Sequence, residues 1–201
     1  MSKCAAQATP LPVKHGLSIS QSPITEEDHH KYISFAGGLR YLEIVGSLLY
    51  ATQTRPDIQF SVSLISQFGG NPGIPHLQAS KHILRYLKGT AHFVLKMGRT
   101  GRHGIDLVGW TDSDWAQDPD SRCSIGGFLP DVAGGVVSWQ SKKQPTVALS
   151  TVEAEYMAAA NATNTSYEIN EVATVRTCCN DCVSSEFNSC LQHRTLLCGF
   201  I

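Results

Sequence analysis

The chain has no apolar run approaching the roughly 18 residues of a membrane-spanning helix, and its start, Met1 to Pro12, lacks the apolar core of a secretion signal. No membrane partner is expected, and an intracellular setting, cytoplasmic or nuclear, is. It also lacks an excess of either charge, with 16 Lys plus Arg against 17 Asp plus Glu and a formal net charge of -1. Whole-chain charge gives no ground for a nucleic-acid partner, so only local patches could provide one. No glycine-rich loop followed by Lys and Ser or Thr is present, which excludes that nucleotide phosphate cradle. Seven cysteines without a secretion signal read as free thiols.

What is present suffices for a packed core, since 42% of the 201 residues are apolar. Residues 1–31 are polar and irregular, with Pro10, Pro12, Pro23 and the acidic Glu26, Glu27 and Asp28, and are expected to form a flexible lead. Such a start is expected of a cut within a longer chain and equally of an independent protein with a loose N-terminus. From 38 to 52, Leu42, Val45, Leu48 and Leu49 recur at helical spacing. A second helix opens at Pro56 and carries Ile58, Val62, Ile65 and Phe68, and Gly69 to Gly73 breaks it. A third, over 75–88, aligns Lys81, Arg85 and Lys88 along one stripe. Two readings of that stripe stand: a solvated face, or an edge that tracks a nucleic-acid backbone.

Residues 98–104, rich in glycine and arginine, are expected to link a helical segment, 32–97, to a second unit over 105–165. Three strands are expected there, over 105–111, 123–129 and 135–141, in an antiparallel meander, followed by a helix over 151–163. Trp110, Trp115 and Trp139 could stack on bases, but aromatic residues on or beside strands are more often core, which is the reading preferred. From 166 to 201 neither period nor motif remains, and the tail is expected to be disordered. Cys179-x-x-Cys182 with Cys190 or His193 makes a zinc site conceivable, and a single pair with short metal-ligand spacing argues against it.

The chemistry-bearing residues cluster at two places. Val108, Trp110 and Asp112 share one face of the first strand by the period of two, and Asp112 is the last residue the sheet would hold rigidly. Asp114, in a turn-rich stretch, reads as a solvated loop acid. At the helix start, Ser150 and Glu153 have the spacing of a capping box, a structural role. Glu155 shares the helical face of Val152, Ala158, Ala159 and Ala162, where an unpaired carboxylate is costly unless it binds a cation. One acid from a strand end and one from a helix are what Mg²⁺-dependent phosphodiester chemistry requires.

Gly109 to Tyr156, with its Thr-Asp-Ser-Asp-Trp-Ala, Val-Ser-Trp-Gln-Ser-Lys-Lys-Gln and Leu-Ser-Thr-Val-Glu-Ala-Glu-Tyr runs, resembles the ribonuclease H domain of copia-type retrotransposon Pol polyproteins. Val45-Gly-Ser-Leu-Leu-Tyr50, Thr54-Arg-Pro-Asp-Ile58 and Ile83-Leu-Arg-Tyr-Leu-Lys-Gly-Thr90 resemble the end of the reverse transcriptase in the same polyproteins. The resemblance spans about 8–165. It implies an α/β (α+β) architecture: a helical reverse-transcriptase tail, then a partial ribonuclease H-like mixed sheet with a crossing helix. It implies hydrolysis of the RNA strand of RNA/DNA hybrids with Mg²⁺, Asp112 and Glu155 as catalytic metal ligands, and Lys81, Arg85 and Lys88 beside the duplex. The missing remainder of Pol would be the other partner.

The family's ribonuclease uses four acidic positions, of which the resemblance carries over only Asp112 and Glu155. The third should sit in a Cys-Asp-Asn or Ala-Asp-Asn context, and here Asp181 follows Asn180 instead. No Tyr-x-Asp-Asp motif of a polymerase occurs. The expectation is a catalytically incomplete fragment, the alternative a host-adopted nucleic-acid-binding module without chemistry.

Overall fold

The computed structural model describes residues 4–12, 15–96, 107–132, 134–169 and 175–178. The chain divides into two compact units, Met1–Phe93 and Val94–Ile201.

The first unit is helical: α1 (Glu26–Ala36), α2 (Tyr41–Ala51), α3 (Gln59–Ser66, entered through a 3-10 turn over Pro56–Ile58) and α4 (Ile74–Gly89). Thr25 caps α1 by accepting from the Asp28 N–H, and Glu26, Glu27 and Asp28 complement the dipole of its first turn. Gly37, at φ 59°, ends it in the left-handed conformation that glycine adopts without strain. The core is Leu48, Ile58, Val62, Ile65, Leu77 and Ile83, each at most 1% exposed. Polar groups inside it are satisfied: the buried Tyr41 hydroxyl, its pKa raised by burial, donates to the Ile65 carbonyl.

The expected flexible lead is corrected. Pro10, Leu11 and Leu17 are buried, and α1 begins within the lead. Polar hooks from distant positions hold it: Asn71 donates to the Pro23 carbonyl (3.0 Å), Lys88 to that of Cys4 (2.7 Å), and His82 Nε2 lies 3.0 Å from that of Thr9. His76 is fully buried, stacked on Phe68; its Nδ1 accepts from the Gly73 N–H, so the Nε2 proton is free to bond the Ser18 carbonyl at 3.1 Å. The lead's own polarity hides this, because its partners lie across the fold.

The second unit is a mixed sheet with one helix laid across it, an α+β arrangement. β1 (Leu107–Ser113) pairs antiparallel with β2 (Ile125–Val132), from Leu107 opposite Val132 to Ser113 opposite Gly126. β3 (Gly135–Val136) and β4 (Gln140–Lys143) both pair with β2, so the single strand expected over 135–141 is split along it. α5 (Thr151–Ile169) packs on β1 and β2 through Ala154, Ala158 and Ala162. A side chain at Gly126 would stand 3.2 Å from the Ala158 methyl, so the glycine permits this close approach.

β5 (Val175–Cys178) lies parallel to β1, with Leu107 opposite Val175 and Trp110 opposite Cys178. The expectation of disorder from 166 onward is thereby corrected for the end of α5 and for β5. The rest of the tail, Cys179, Cys182, Cys190 and His193 included, and the expected linker at 98–104 lie outside the described residues.

Candidate functional site

The site is assembled at the C-terminal end of β1. The Gln144 amide, 4% exposed, donates from Nε2 to Ser113 Oγ (3.2 Å) and to the Ala154 carbonyl in the first turn of α5 (2.8 Å). One side chain thus bridges the residue after Asp112 to the residue before Glu155. Both acids are half-buried at one end of the sheet.

Register gives the direction of Asp112. Ser113 presents its hydroxyl to Gln144 on the α5 side, and its pairing partner Gly126 abuts Ala158 on that same side. Strand alternation therefore directs Asp112, opposite Gly127, to the other face. Its Oδ1 accepts the Ser113 N–H at 3.0 Å. On α5 the packed stripe is Ala154, Ala158 and Ala162, while Val152, expected on it, is 66% exposed. Glu155 flanks that stripe.

The neighbouring acids have structural duties. Asp114 is buried, and its Oδ1 accepts the Ile125 N–H at 2.8 Å while its own N–H bonds the Ile125 carbonyl. Burial pushes its carboxyl pKa up, the Ile125 and Gln117 N–H groups oppose this, and Asp118 and Asp112 add to the rise. The reading of Asp114 as a solvated loop acid is corrected. Asp118 accepts from Lys143 (2.6 Å) and from the Ser121 N–H and hydroxyl. Burial raises its pKa, but Lys143 and Ser121 outweigh it and the net shift is downward.

The helix start is capped: Ser150 Oγ accepts the Glu153 N–H (3.1 Å), and Glu153 Oε2 accepts the N–H of Leu149, one residue before the cap (2.7 Å). In the first unit the cationic stripe is partly engaged. Lys88 bonds the Cys4 carbonyl, Lys81 Nζ sits 4.6 Å from the Phe35 ring centre, and Arg85 Nε bonds the Lys81 carbonyl.

No family model matches the chain, and no solved structure matches it. It is 48% identical over 124 residues to Secreted RxLR effector protein 161 of Plasmopara viticola, covering 61% of the chain and 86% of that protein. It is 46% identical over 153 residues, 76% of the chain, to the retrovirus-related Pol polyprotein from transposon TNT 1-94 of Nicotiana tabacum. With the polyprotein from transposon RE1 of Arabidopsis thaliana it shares 43% identity over 139 residues, 68% of the chain. The chain belongs to the copia-type transposon Pol family. It spans 11% and 9% of the tobacco and Arabidopsis polyproteins.

In this Pol segment the Thr54-Arg-Pro-Asp-Ile58 motif is a structural clamp. Arg55 grips Asp57 with two bonds (2.9 and 2.6 Å) and reaches Thr90 at the end of α4, while Tyr86 donates to Asp57 at 2.7 Å. Mg²⁺ prefers oxygen ligands, which Asp112 and Glu155 offer. Among the described residues no group of three His, Cys, Asp or Glu side chains is placed to hold a metal. Among them, too, no helix is long and apolar enough to cross a membrane. Sequence reasoning missed Gln144. A polar residue right after a strand is an everyday loop residue, and only its burial between strand and helix gives it a role.

Proposed function

We propose that this Pol segment carries the remnant of an Mg²⁺-dependent ribonuclease H-type unit that once hydrolysed the RNA strand of RNA/DNA hybrids, and that the chain as it stands does not cleave. The observation behind this reading is β5. It is the strand beside β1 on the side away from β2, and its described residues are Val175, Arg176, Thr177 and Cys178, with no carboxylate. Asp112 and Glu155 remain, with Asp114 and Asp118 committed to backbone and Lys143. Phosphodiester cleavage tolerates little slack in the positioning of its ions and water, so two acids without further ligands leave the reaction unsupported. Affinity for nucleic acid is expected to be low, since Lys88 and Lys81 of the α4 stripe are engaged within the chain. We place the protein inside the cell, where the rest of Pol would be its natural neighbour.

The test is incubation of the purified full chain with an end-labelled RNA/DNA hybrid in Mg²⁺ and, separately, Mn²⁺. The hybrid should remain intact with the wild type and with Asp112→Asn alike. Cleavage by the wild type that Asp112→Asn abolishes would overturn the reading.

A further inference from the structure

His76 ties the lead to the first turn of α4. Its ring stacks on Phe68 at a centroid distance of 4.0 Å, its Nδ1 accepts the Gly73 N–H at 2.8 Å, and its Nε2 lies 3.1 Å from the Ser18 carbonyl of the lead. On the far side of Gly73 the lead presses on the same backbone, where a methyl would collide with the Gln21 carbonyl. Three features oppose a proton on Nδ1. The Gly73 N–H already points at that atom, so a second N–H would face the first. The ring is 0% exposed, and a charge there loses its hydration. It also stands at the end of α4 that carries the positive partial charge of the helix dipole.

The charged groups on the surrounding elements do not favour an imidazolium. α3 carries no acid, and α4 carries Lys81, His82, Arg85 and Lys88 and no acid. In the lead, His15 packs beside Phe60 and accepts the Leu17 N–H at 3.4 Å, and burial lowers its own pKa. At the start of α1, Glu26 and Glu27 are exposed and Asp28 is engaged by Thr25 and Lys31, while on α2 Glu43 pairs with Arg40.

We propose that His76 is an acid-released latch on the lead: proton uptake by its imidazole frees residues 15–22 from the start of α4. The flanks stay in place. Lys88 and His82 donate to the Cys4 and Thr9 carbonyls, bonds that their charged forms also make, and Asn71 holds the Pro23 carbonyl without titrating. Acid therefore opens a loop anchored on both sides. Once released, the imidazole meets water and takes a proton below about pH 6.5. The latch is at full strength above that value, and each pH unit below it favours release by up to about tenfold for this one group. His15, inside the released segment, acts in the same direction.

The experiment is amide hydrogen exchange of the full chain, followed residue by residue by NMR from about pH 7 to about pH 5 and corrected for the intrinsic pH dependence of exchange. The reporters are the Gln21 and Ser22 N–H groups, which bond the Ser18 and Ile19 carbonyls; the Ile83 and Tyr86 amides within α4 report the core. Protection at Gln21 and Ser22 should fall at least tenfold while that at Ile83 and Tyr86 holds. In His76→Asn, whose amide oxygen can accept the Gly73 N–H without titrating, the fall at Gln21 and Ser22 should shrink at least threefold. If that variant loses the wild-type circular dichroism, the ring is read in the wild type instead: its nitrogen signals should show Nδ1 bare and Nε2 protonated at neutral pH, and should titrate with the midpoint of the Gln21 amide. Flat wild-type protection, an equal fall at Ile83 and Tyr86, an undiminished fall in a folded His76→Asn, or a His76 that gains its proton while the Gln21 and Ser22 signals stay put would each overturn the proposal.

Discussion

Removing the Asp57 carboxylate should cost the helical unit about 3 kcal/mol. In the folded chain that carboxylate is 16% exposed and accepts two bonds from Arg55, itself 15% exposed, and one from Tyr86. Truncating one partner of a largely buried ion pair costs roughly 3 to 5 kcal/mol, because the other charge is left without its counterpart. Here Arg55 keeps its bonds to the Thr90 carbonyl and hydroxyl and its position over the Tyr86 and Phe93 rings, which places the loss at the low end. For a unit of this size about 3 kcal/mol corresponds to a drop in melting temperature of roughly 12 to 24 °C. The assay is thermal and urea unfolding followed by far-ultraviolet circular dichroism, comparing wild type with Asp57→Ala and Asp57→Asn. Burial pushes the Asp57 pKa up, but the bonds from Arg55 and Tyr86 outweigh it and hold it below the ordinary carboxylate range. A lowered native pKa adds stability above the unfolded value of about 4 and loses it as pH falls through the folded value. The gap between wild type and Asp57→Asn should therefore be full at neutral pH and close in acid. A loss under about 1 kcal/mol, the scale of an exposed pair, or a gap unchanged by acid, would refute the clamp.

Asp114→Asn should leave the acceptor for the Ile125 N–H in place while removing a carboxylate whose native pKa is raised by burial. A raised native pKa gives stability that is present below the unfolded value and lost as pH rises, so the variant should gain on the wild type from about pH 4 upward; parallel urea midpoints across that range would count against it. Gly73→Ala would drive a methyl into the Gln21 carbonyl and should loosen the lead from α4. Limited proteolysis should then cut between residues 15 and 25 sooner than in the wild type, and an unchanged cleavage pattern would mean the contact is readily relieved.

Sequence by itself determined the helical periods of α2, α3 and α4, because each needs apolar residues three and four apart to build one shared core. It also determined the breaks at Gly69 to Gly73 and the Ser150 and Glu153 start of α5, since caps and turns are set by a few adjacent residues. The family membership was legible for the same reason: motifs such as Thr54-Arg-Pro-Asp-Ile58 are local runs in a fixed order. Tertiary structure alone decided what touches what. Polarity made the lead read as loose, yet Leu11, Leu17 and hooks from Asn71, His82 and Lys88 hold it. Asp114 was turned from solvated acid into buried strut by Ile125, and Trp115 from core residue into surface, because burial depends on the opposite strand and the next loop. The direction of Asp112 followed from register, where a shift of one residue exchanges the faces of a strand, and register is set by pairing with β2 that no local run announces.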